Sequence, residues 1–182
     1  MIKKEIVKYG LTMLVVGVIA ATGLGFTYAV TKDKIAEQDR LSEAKAGIEA
    51  MPGITSPDEL TLDEELTARA KEAVPEVQKV YVTELGTVIT VEQKGYGGPM
   101  VLAVGINGSG AVVGMASVSN RETVGLGSRA LVPEFFERFM SKSASDPLEV
   151  GEDIDAVSGA TISSKAVTAA VKTALEAYER VR

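Results

Sequence analysis

Two loops of the sequence carry residues that could bind a ligand or a cofactor. The first, DAVSGATISSKAV at residues 155–167, ends a turn of small residues on the hydroxyl of Thr161, where a helical pattern begins. The unpaired N–H groups and the dipole of a helix N-terminus favour an anion such as a phosphate. The same residue types are also common helix caps, which need no ligand. On physical grounds alone, the sequence favours capping over phosphate binding.

The second loop, RETVGLGSRA at residues 121–130, has Gly125, Gly127 and Ala130 at the spacing of a dinucleotide-binding fingerprint. That fingerprint must leave a strand directly and then open a helix. Here a charged pair precedes the glycines and a helix begins only at Pro133, so we reject a nicotinamide site. The glycines either form a tight loop or let the backbone approach a flat ligand closely.

The composition of the chain excludes several kinds of chemistry. Its 182 residues include no cysteine, no histidine and no tryptophan. Thiolate-bound iron–sulfur clusters, His-ligated haem, zinc sites built on Cys or His, cysteine nucleophiles and Ser-His-Asp triads therefore all lack their residues. If a protein of this composition handles electrons, it needs an organic cofactor.

The N-terminal part of the chain predicts a membrane anchor. Residues 9–31 contain no charged side chain, and this run exceeds the roughly 20 residues that cross a hydrocarbon core. Lys3, Lys4 and Lys8 precede it, which places residues 1–8 in the cytoplasm. A cleaved signal peptide is the alternative, but the uncharged run is long for the apolar region of such a peptide. We therefore expect an uncleaved single-pass anchor with the C-terminal domain outside.

The part of the chain beyond the anchor is acidic. Of 19 basic and 25 acidic side chains, three lysines and one glutamate precede residue 9, which leaves 16 basic and 24 acidic residues in 32–182, a formal charge of −8. A negative domain without a basic stripe is repelled by phosphate backbones, so we do not expect a nucleic-acid partner.

Periodicity along the acidic part indicates an α+β fold with a mainly antiparallel sheet and packed helices. Alternating apolar and polar residues predict strands, and NGSG at 107–110 joins two of them as a hairpin. We expect a helical stalk and linker over 32–75 and one domain over 76–182. The predicted strands cover 77–85, 86–95, 99–106 and 111–119, and helices are predicted at 32–51, 62–73, from Pro133 and from Thr161 to the C-terminus.

Three motifs in the domain resemble those of one family. DAVSGAT resembles the flavinylation motif of the FMN-binding domain shared by the G subunit of Rnf complexes and the C subunit of sodium-pumping NADH:quinone reductases. ETVGLG resembles the E-T-P-G-L-G loop of that family, with Val124 where proline is usual, so the loop loses the stiffness that proline gives. GYGG at 95–98 resembles its glycine-rich entry, and Ser163, Ser164 and Lys165 continue the pattern after Thr161. The resemblance covers roughly residues 76–182.

The resemblance implies a cofactor and an enzyme that installs it. FMN would be joined to the Thr161 hydroxyl through a phosphoester, by a separate FAD-dependent flavin transferase that uses a magnesium ion. Asp155 would help to position the motif for that reaction, and Glu122, Thr123 and Leu126 would line the flavin. The full set of cofactor-binding residues expected from the resemblance is Thr161, Ser158, Gly159, Ala160, Asp155, Glu122, Thr123, Leu126, Gly127, Lys165 and Tyr96.

The resemblance also implies a role for the chain. It would be the electron-transfer subunit of a membrane-bound, ion-translocating ferredoxin:NAD⁺ oxidoreductase of the Rnf type, with other membrane subunits as partners and its domain on the outer side of a bacterial cytoplasmic membrane. It would catalyse no turnover alone. The alternatives are a C-type subunit of a sodium-pumping NADH:quinone reductase, for which the chain is short, and a cofactor-free assembly or sensor ectodomain.

Overall fold

A computed structural model describes the backbone of residues 2–182 and the side chains from residue 6 onward. Its internal contacts divide the chain into two compact units, Met1–Leu41 and Ser42–Arg182. The predicted division into cytoplasmic, membrane, linker and domain segments stays a prediction.

Helix α1 spans Ile2–Ala50; its residues up to Leu41 form the first unit, and those from Ser42 belong to the second. Among the described helices, α1 is the one whose length and apolar composition would let it cross a membrane. Its polar side chains also suit an apolar surrounding, because their hydroxyls donate to the carbonyl oxygens four residues earlier at 2.7–2.9 Å. These residues are Thr12, Thr22, Thr27 and Thr31.

The second unit is built on a five-stranded sheet with the order β1-β2-β3-β4-β5, in which every neighbouring pair is antiparallel. The predicted α+β fold with a mainly antiparallel sheet is therefore confirmed. A 3-10 helix at Pro57–Glu59 and the two-residue strand β1 were not predicted. The elements are β1 (Thr61–Leu62), α2 (Glu64–Ala73), β2 (Val77–Val82), β3 (Gly86–Lys94), β4 (Pro99–Asn107), β5 (Val112–Asn120), α3 (Pro133–Phe136) and α4 (Thr161–Val181).

One face of the sheet packs against α4 and forms the main core. The helix buries one apolar stripe at i, i+3, i+4 and i+7 spacing, as its sequence predicts, and α3 with the 3-10 turn after it closes one end of this core. The buried residues include Ile89, Val91 and Leu102 from the sheet, Val167, Ala170, Val171, Ala174, Leu175 and Tyr178 from α4, and Phe135, Phe136 and Phe139.

The other face of the sheet packs against the last turn of α1 and the residues after it. Ala46, Ala50, Met51 and Ile54 pack on Val88, Ala103 and Ala116. Two glycines make this contact possible, because a Cβ at Gly105 or Gly114 would lie 1.9 or 2.4 Å from the Ala50 carbonyl oxygen. With both faces covered, the sheet positions the loops at its ends, where the three motifs lie.

Candidate functional site

The three motifs come together around one open cavity of about 360 Å³. The corner between β3 and β4 supplies one wall, the loop after β5 a second, and the first turn of α4 the third. Six of the eight lining residues belong to the set expected to bind a cofactor; Ile162 and Ser163 complete it. The lining residues are Tyr96, Leu126, Gly127, Gly159, Ala160, Thr161, Ile162 and Ser163.

The N-terminus of α4 is open. Its N-cap is Ala160, no side chain caps it, and its first turn contains no acidic residue. The first-turn N–H groups have no intrahelical partner, so they are available at the cavity. Capping, which the residue types favour on physical grounds alone, is therefore wrong: the exposed Thr161 is the first helical residue, and the Ser164 hydroxyl instead accepts from Val157 N at 3.0 Å.

The turn before α4 is held by its own geometry and by two arginines. Ala160 N donates to Val157 O at 2.9 Å across the turn, and Gly159 has φ +78°, which favours glycine. Arg129 Nη1 donates to the Ser158 carbonyl oxygen at 3.0 Å, and Arg138 donates to that of Asp155. The backbone of the DAVSGAT motif is thus fixed from outside.

Glu122 lies beneath the cavity wall rather than on its surface. Only 7% of the residue is exposed, and its carboxylate accepts from Tyr96 N at 2.8 Å and from Gly97 N at 3.0 Å. A Cβ at Gly95 or Gly127 would lie 1.7 or 1.8 Å from the carboxylate oxygens. Glu122 therefore joins the GYGG corner to the ETVGLG loop, and its fit explains two of their glycines.

The exposed tip of the second motif is a β-turn. Leu126 N donates to Thr123 O at 3.1 Å, and Gly125 has φ +81°, whereas Val124 is not among the described residues with positive φ. Positive φ at the third position alone defines a type II turn. Val124 is 90% exposed at its second position, which is where type II turns favour proline.

Several expected residues lie outside the cavity lining. Ser158, Asp155, Thr123 and Lys165 are all exposed, and of these Ser158 and Asp155 contribute carbonyl oxygens to the arginine contacts. Whether any of them contacts a cofactor stays a prediction.

The sequence did not mark Arg129, Arg138 or Ile162 as site residues, and Ser163 was predicted only as part of a pattern. A signal for Ser163 exists: the buried stripe of α4, otherwise mostly alanine and valine, includes the hydroxyls of Ser163, Ser164 and Thr168. No sequence signal marks the two arginines, because their contacts span 29 and 17 residues.

Comparison with known proteins agrees with this geometry. Residues 95–176 match the family model of the FMN-binding domain, and residues 1–46 match that of the RnfG N-terminal region. The chain is 30% identical to the G subunit of the ion-translocating oxidoreductase complex of Methanosarcina acetivorans, over 95% of this chain and 94% of that protein. It is 44% identical to the G subunit of the proton-translocating ferredoxin:NAD(+) oxidoreductase complex of Clostridium ljungdahlii, over 49% of this chain and 51% of that protein.

A solved structure shares the fold. The crystal structure of the C subunit of the Na(+)-translocating NADH-quinone reductase from Parabacteroides distasonis superposes with a TM-score of 0.59 at 18% identity, over 81% of this chain and 94% of that chain. Fold and site together define a protein with an FMN-binding domain behind an N-terminal apolar helix. The chain belongs to the family of G subunits of ion-translocating oxidoreductase complexes.

Proposed function

We propose that this chain carries FMN covalently on Thr161 and relays electrons within a membrane-bound ion-translocating ferredoxin:NAD⁺ oxidoreductase complex. The observation that carries the proposal is the open N-terminus of α4, with the exposed Thr161 at its first position and no side-chain cap. The names of its relatives in the G-subunit family support the type of complex, and the other subunits of that complex would be its partners.

The cavity fits both parts of the cofactor. A phosphate on Thr161 Oγ1 would lie beside the free N–H groups and the positive end of the α4 dipole. The apolar side chains of Tyr96, Leu126 and Ile162 line the same cavity while remaining largely exposed, so they offer contacts to a flat ring. FMN would supply the redox chemistry, for which this chain has no cysteine or histidine ligand.

Attachment requires a donor and a base from outside the site. A threonine hydroxyl is a weak nucleophile without an adjacent base, so we assign the base and a magnesium ion to a flavin transferase. Thr161 Oγ1 would bond to the flavin-side phosphorus of FAD as the phosphoanhydride bond breaks. AMP would leave with the electron pair of that bond, and the base would take the hydroxyl proton. Asp155, whose carbonyl is held by Arg138, would present the motif to the transferase.

The orientation in the membrane follows from charge. We propose that residues 1–8 lie in the cytoplasm, residues 9–31 cross the membrane, and the domain over 76–182 lies outside. Because the chain has no cysteine, a single cysteine introduced at Lys4 or at Ser109 shows on which side of the membrane that position lies. A membrane-impermeant maleimide should label Ser109→Cys in intact cells and label Lys4→Cys only after lysis, and the reverse pattern would refute this orientation.

Intact mass and in-gel ultraviolet fluorescence of the denatured chain test the covalent carrier. The full chain is produced with and without a co-expressed flavin transferase. An adduct of FMN mass should appear only with the transferase, vanish in Thr161→Ala and persist in Thr173→Ala, a matched threonine farther along α4. Absence of the adduct in a transferase background that modifies a known substrate would refute covalent attachment and favour a cofactor-free assembly or sensor ectodomain.

The C-type subunit of a sodium-pumping NADH:quinone reductase is the second assignment. It is considered because the fold is shared, but at 18% identity a shared fold does not identify the complex. Affinity purification of the tagged chain from its native membrane distinguishes the two, because the partner subunits recovered would belong to one complex or the other.

A further inference from the structure

One buried hydroxyl at the start of α4 has no partner in the protein. Ser163 is 1% exposed, and among the buried side-chain oxygens and nitrogens of the described residues, its Oγ is the one without a hydrogen bond. A buried polar group left unpaired destabilises a fold, and most such groups are paired. An unpaired hydroxyl on the wall of a binding cavity therefore points to a ligand.

The neighbouring buried hydroxyls of α4 both have hydrogen-bond partners within the protein. Ser164 Oγ accepts from Val157 N at 3.0 Å, and Thr168 Oγ1 donates to the Ser164 carbonyl oxygen at 2.9 Å. Both belong to the same buried stripe as Ser163. Ser163 differs from them because it lines the cavity.

The loop opposite Ser163 packs closely on its hydroxyl. A Cβ at Gly127 would lie 2.7 Å from Ser163 Oγ and 1.8 Å from Glu122 Oε2. Any larger residue at this position would crowd the hydroxyl. Only glycine therefore fits beside Ser163 Oγ at this part of the cavity wall.

We propose that the Ser163 hydroxyl donates a hydrogen bond to the bound flavin nucleotide. This inference rests on the proposed function and adds a binding residue to it. The acceptor is either an oxygen of the phosphate on Thr161, two residues earlier in the same turn, or an oxygen or nitrogen of the flavin ring over the Leu126–Gly127 wall. In either case the cofactor, not the protein, completes the hydrogen bonding of Ser163.

The test compares Ser163→Ala with the wild type and with Ser164→Ala, each as the full chain with and without flavin transferase. Without flavin, Ser163→Ala should unfold at the same temperature as the wild type or about 2–4 °C higher, because it removes an unpaired buried group. Ser164→Ala should unfold at a lower temperature with and without flavin, since it deprives Val157 N of its acceptor.

The flavin-loaded forms decide the proposal. The increase in unfolding temperature on FMN attachment, normalised to the modified fraction by intact mass, should be smaller in Ser163→Ala than in the wild type. An accompanying shift of the flavin absorption maximum or redox potential would assign the acceptor to the ring, and unchanged values would assign it to the phosphate.

Two results would overturn the inference, and only one of them would also refute the proposed function. If Ser163→Ala takes up FMN with the wild-type increase in unfolding temperature, absorption and potential, the hydroxyl does not contact the cofactor, while the proposed function stands. If the wild type itself takes up no FMN, the proposed function fails and the contact fails with it.

Discussion

The N-termini of α2 and α4 solve the same problem in opposite ways. At α2, the Asp63 carboxylate accepts from Leu66 N at 2.9 Å, and Glu64 and Glu65 add negative charge to the first turn. At α4, the cap is Ala160 and the first turn has no acidic residue. Both helices belong to the same compact unit, so the difference is local.

The lack of a side-chain cap makes α4 less stable than a capped helix would be. A side-chain N-cap is worth about 0.5–2 kcal/mol, which α4 forgoes. A carboxylate at that position would repel a phosphate and occupy the N–H groups that the phosphate needs. The chain thus supplies the anion itself at α2, whereas at α4 the proposed phosphate of FMN would supply it.

The largest expected effect comes from the carboxylate next to the open helix. Glu122 serves the GYGG corner rather than α4, because Tyr96 N and Gly97 N donate to it. Charge-assisted hydrogen bonds of this kind are worth about 1.5–3 kcal/mol each. Glu122→Ala should lower the free energy of unfolding by about 3 kcal/mol or more, and Glu122→Gln, which keeps the shape but loses one acceptor, by about half as much.

Urea unfolding followed by tyrosine fluorescence measures both variants, with Glu92→Gln on the exposed end of β3 as the control. Hydrogen exchange locates the effect: amides at Tyr96 and Gly97 should lose protection, whereas those of the first turn of α4 should not. If α4 lost protection first, Glu122 would be supporting the helix, and the contrast with α2 would fail.

The next effect is on hydrogen exchange at the N-termini of α4 and α2. FMN attachment should slow hydrogen exchange at Thr161, Ile162 and Ser163 by about tenfold to a hundredfold, as expected for hydrogen bonds worth about 1.5–3 kcal/mol to an anion. The first turn of α2, already capped by Asp63, should exchange at the same rate with and without flavin.

Exchange in peptides spanning 157–166 and 62–68 measures this, with Thr161→Ala exposed to the transferase as the unmodified control. Equal slowing in both peptides would indicate a general stabilisation of the domain. No slowing in either would mean that the phosphate lies away from the helix N-terminus.

The strands and helices of the domain could largely be predicted from the sequence. Alternation placed β2 to β5 within a few residues, and periodicity identified the buried face of α4, because both patterns are local. NGSG formed the expected hairpin, with Gly110 at φ +87° and its N–H donating to Asn107 O at 2.9 Å. The two-residue strand β1 is too short for any pattern to mark.

The site was predictable in its motifs but not in its hydrogen bonds. The type of Thr161 suggested a cap, yet the turn through Gly159 places Ala160 at the cap position instead. Likewise, the two arginine contacts and the unpaired Ser163 depend on segments that meet only in the folded domain. Residue type states what a side chain can bind, and tertiary structure decides which partner it meets.

A smaller effect, mainly at acid pH, is expected in residues 141–154, the loop that leads to the DAVSGAT motif. As at the N-terminus of α2, the carboxylates of this loop accept hydrogen bonds from groups within the chain. The backbone N–H of Glu149 and then the Lys142 ammonium hold the pKa of Asp153 below its usual range, and the N–H of Ser143 does the same for the pKa of Asp146. A lowered carboxyl pKa contributes stability above the ordinary value, and this contribution is lost as pH falls through the lowered one.

The unfolding temperature should therefore be level from about pH 7 to pH 5 and fall below about pH 4. Asp153→Asn should make that acid decline shallower, whereas Asp58→Asn at the exposed 3-10 helix should leave it unchanged. At the alkaline end, the hydrogen bond to Asp153 raises the pKa of Lys142, so its contribution is lost only as pH rises through that higher value. An unchanged acid decline in Asp153→Asn would show that these partners do not affect stability.

The smallest effect concerns the turn at Val124, where the loop that this motif resembles would have proline. A type II turn favours proline at its second position, because the fixed φ of about −65° matches the turn. Val124 is 90% exposed there, so Val124→Pro should raise the free energy of unfolding by about 0.4–1 kcal/mol, mainly by restricting the unfolded chain.

The matched variant of this turn is Gly125→Ala. It should lower the free energy of unfolding, because φ +81° disfavours a side chain. Both changes act on the backbone of the turn, so each should shift urea unfolding equally with and without flavin. Independence from flavin is also expected at the N-terminus of α2, which Asp63 caps, but not at the N-terminus of α4. If Val124→Pro raises the free energy of unfolding only in the flavin-loaded protein, the turn contacts the cofactor. The part of the domain that the cofactor stabilises would then include this loop as well as the N-terminus of α4.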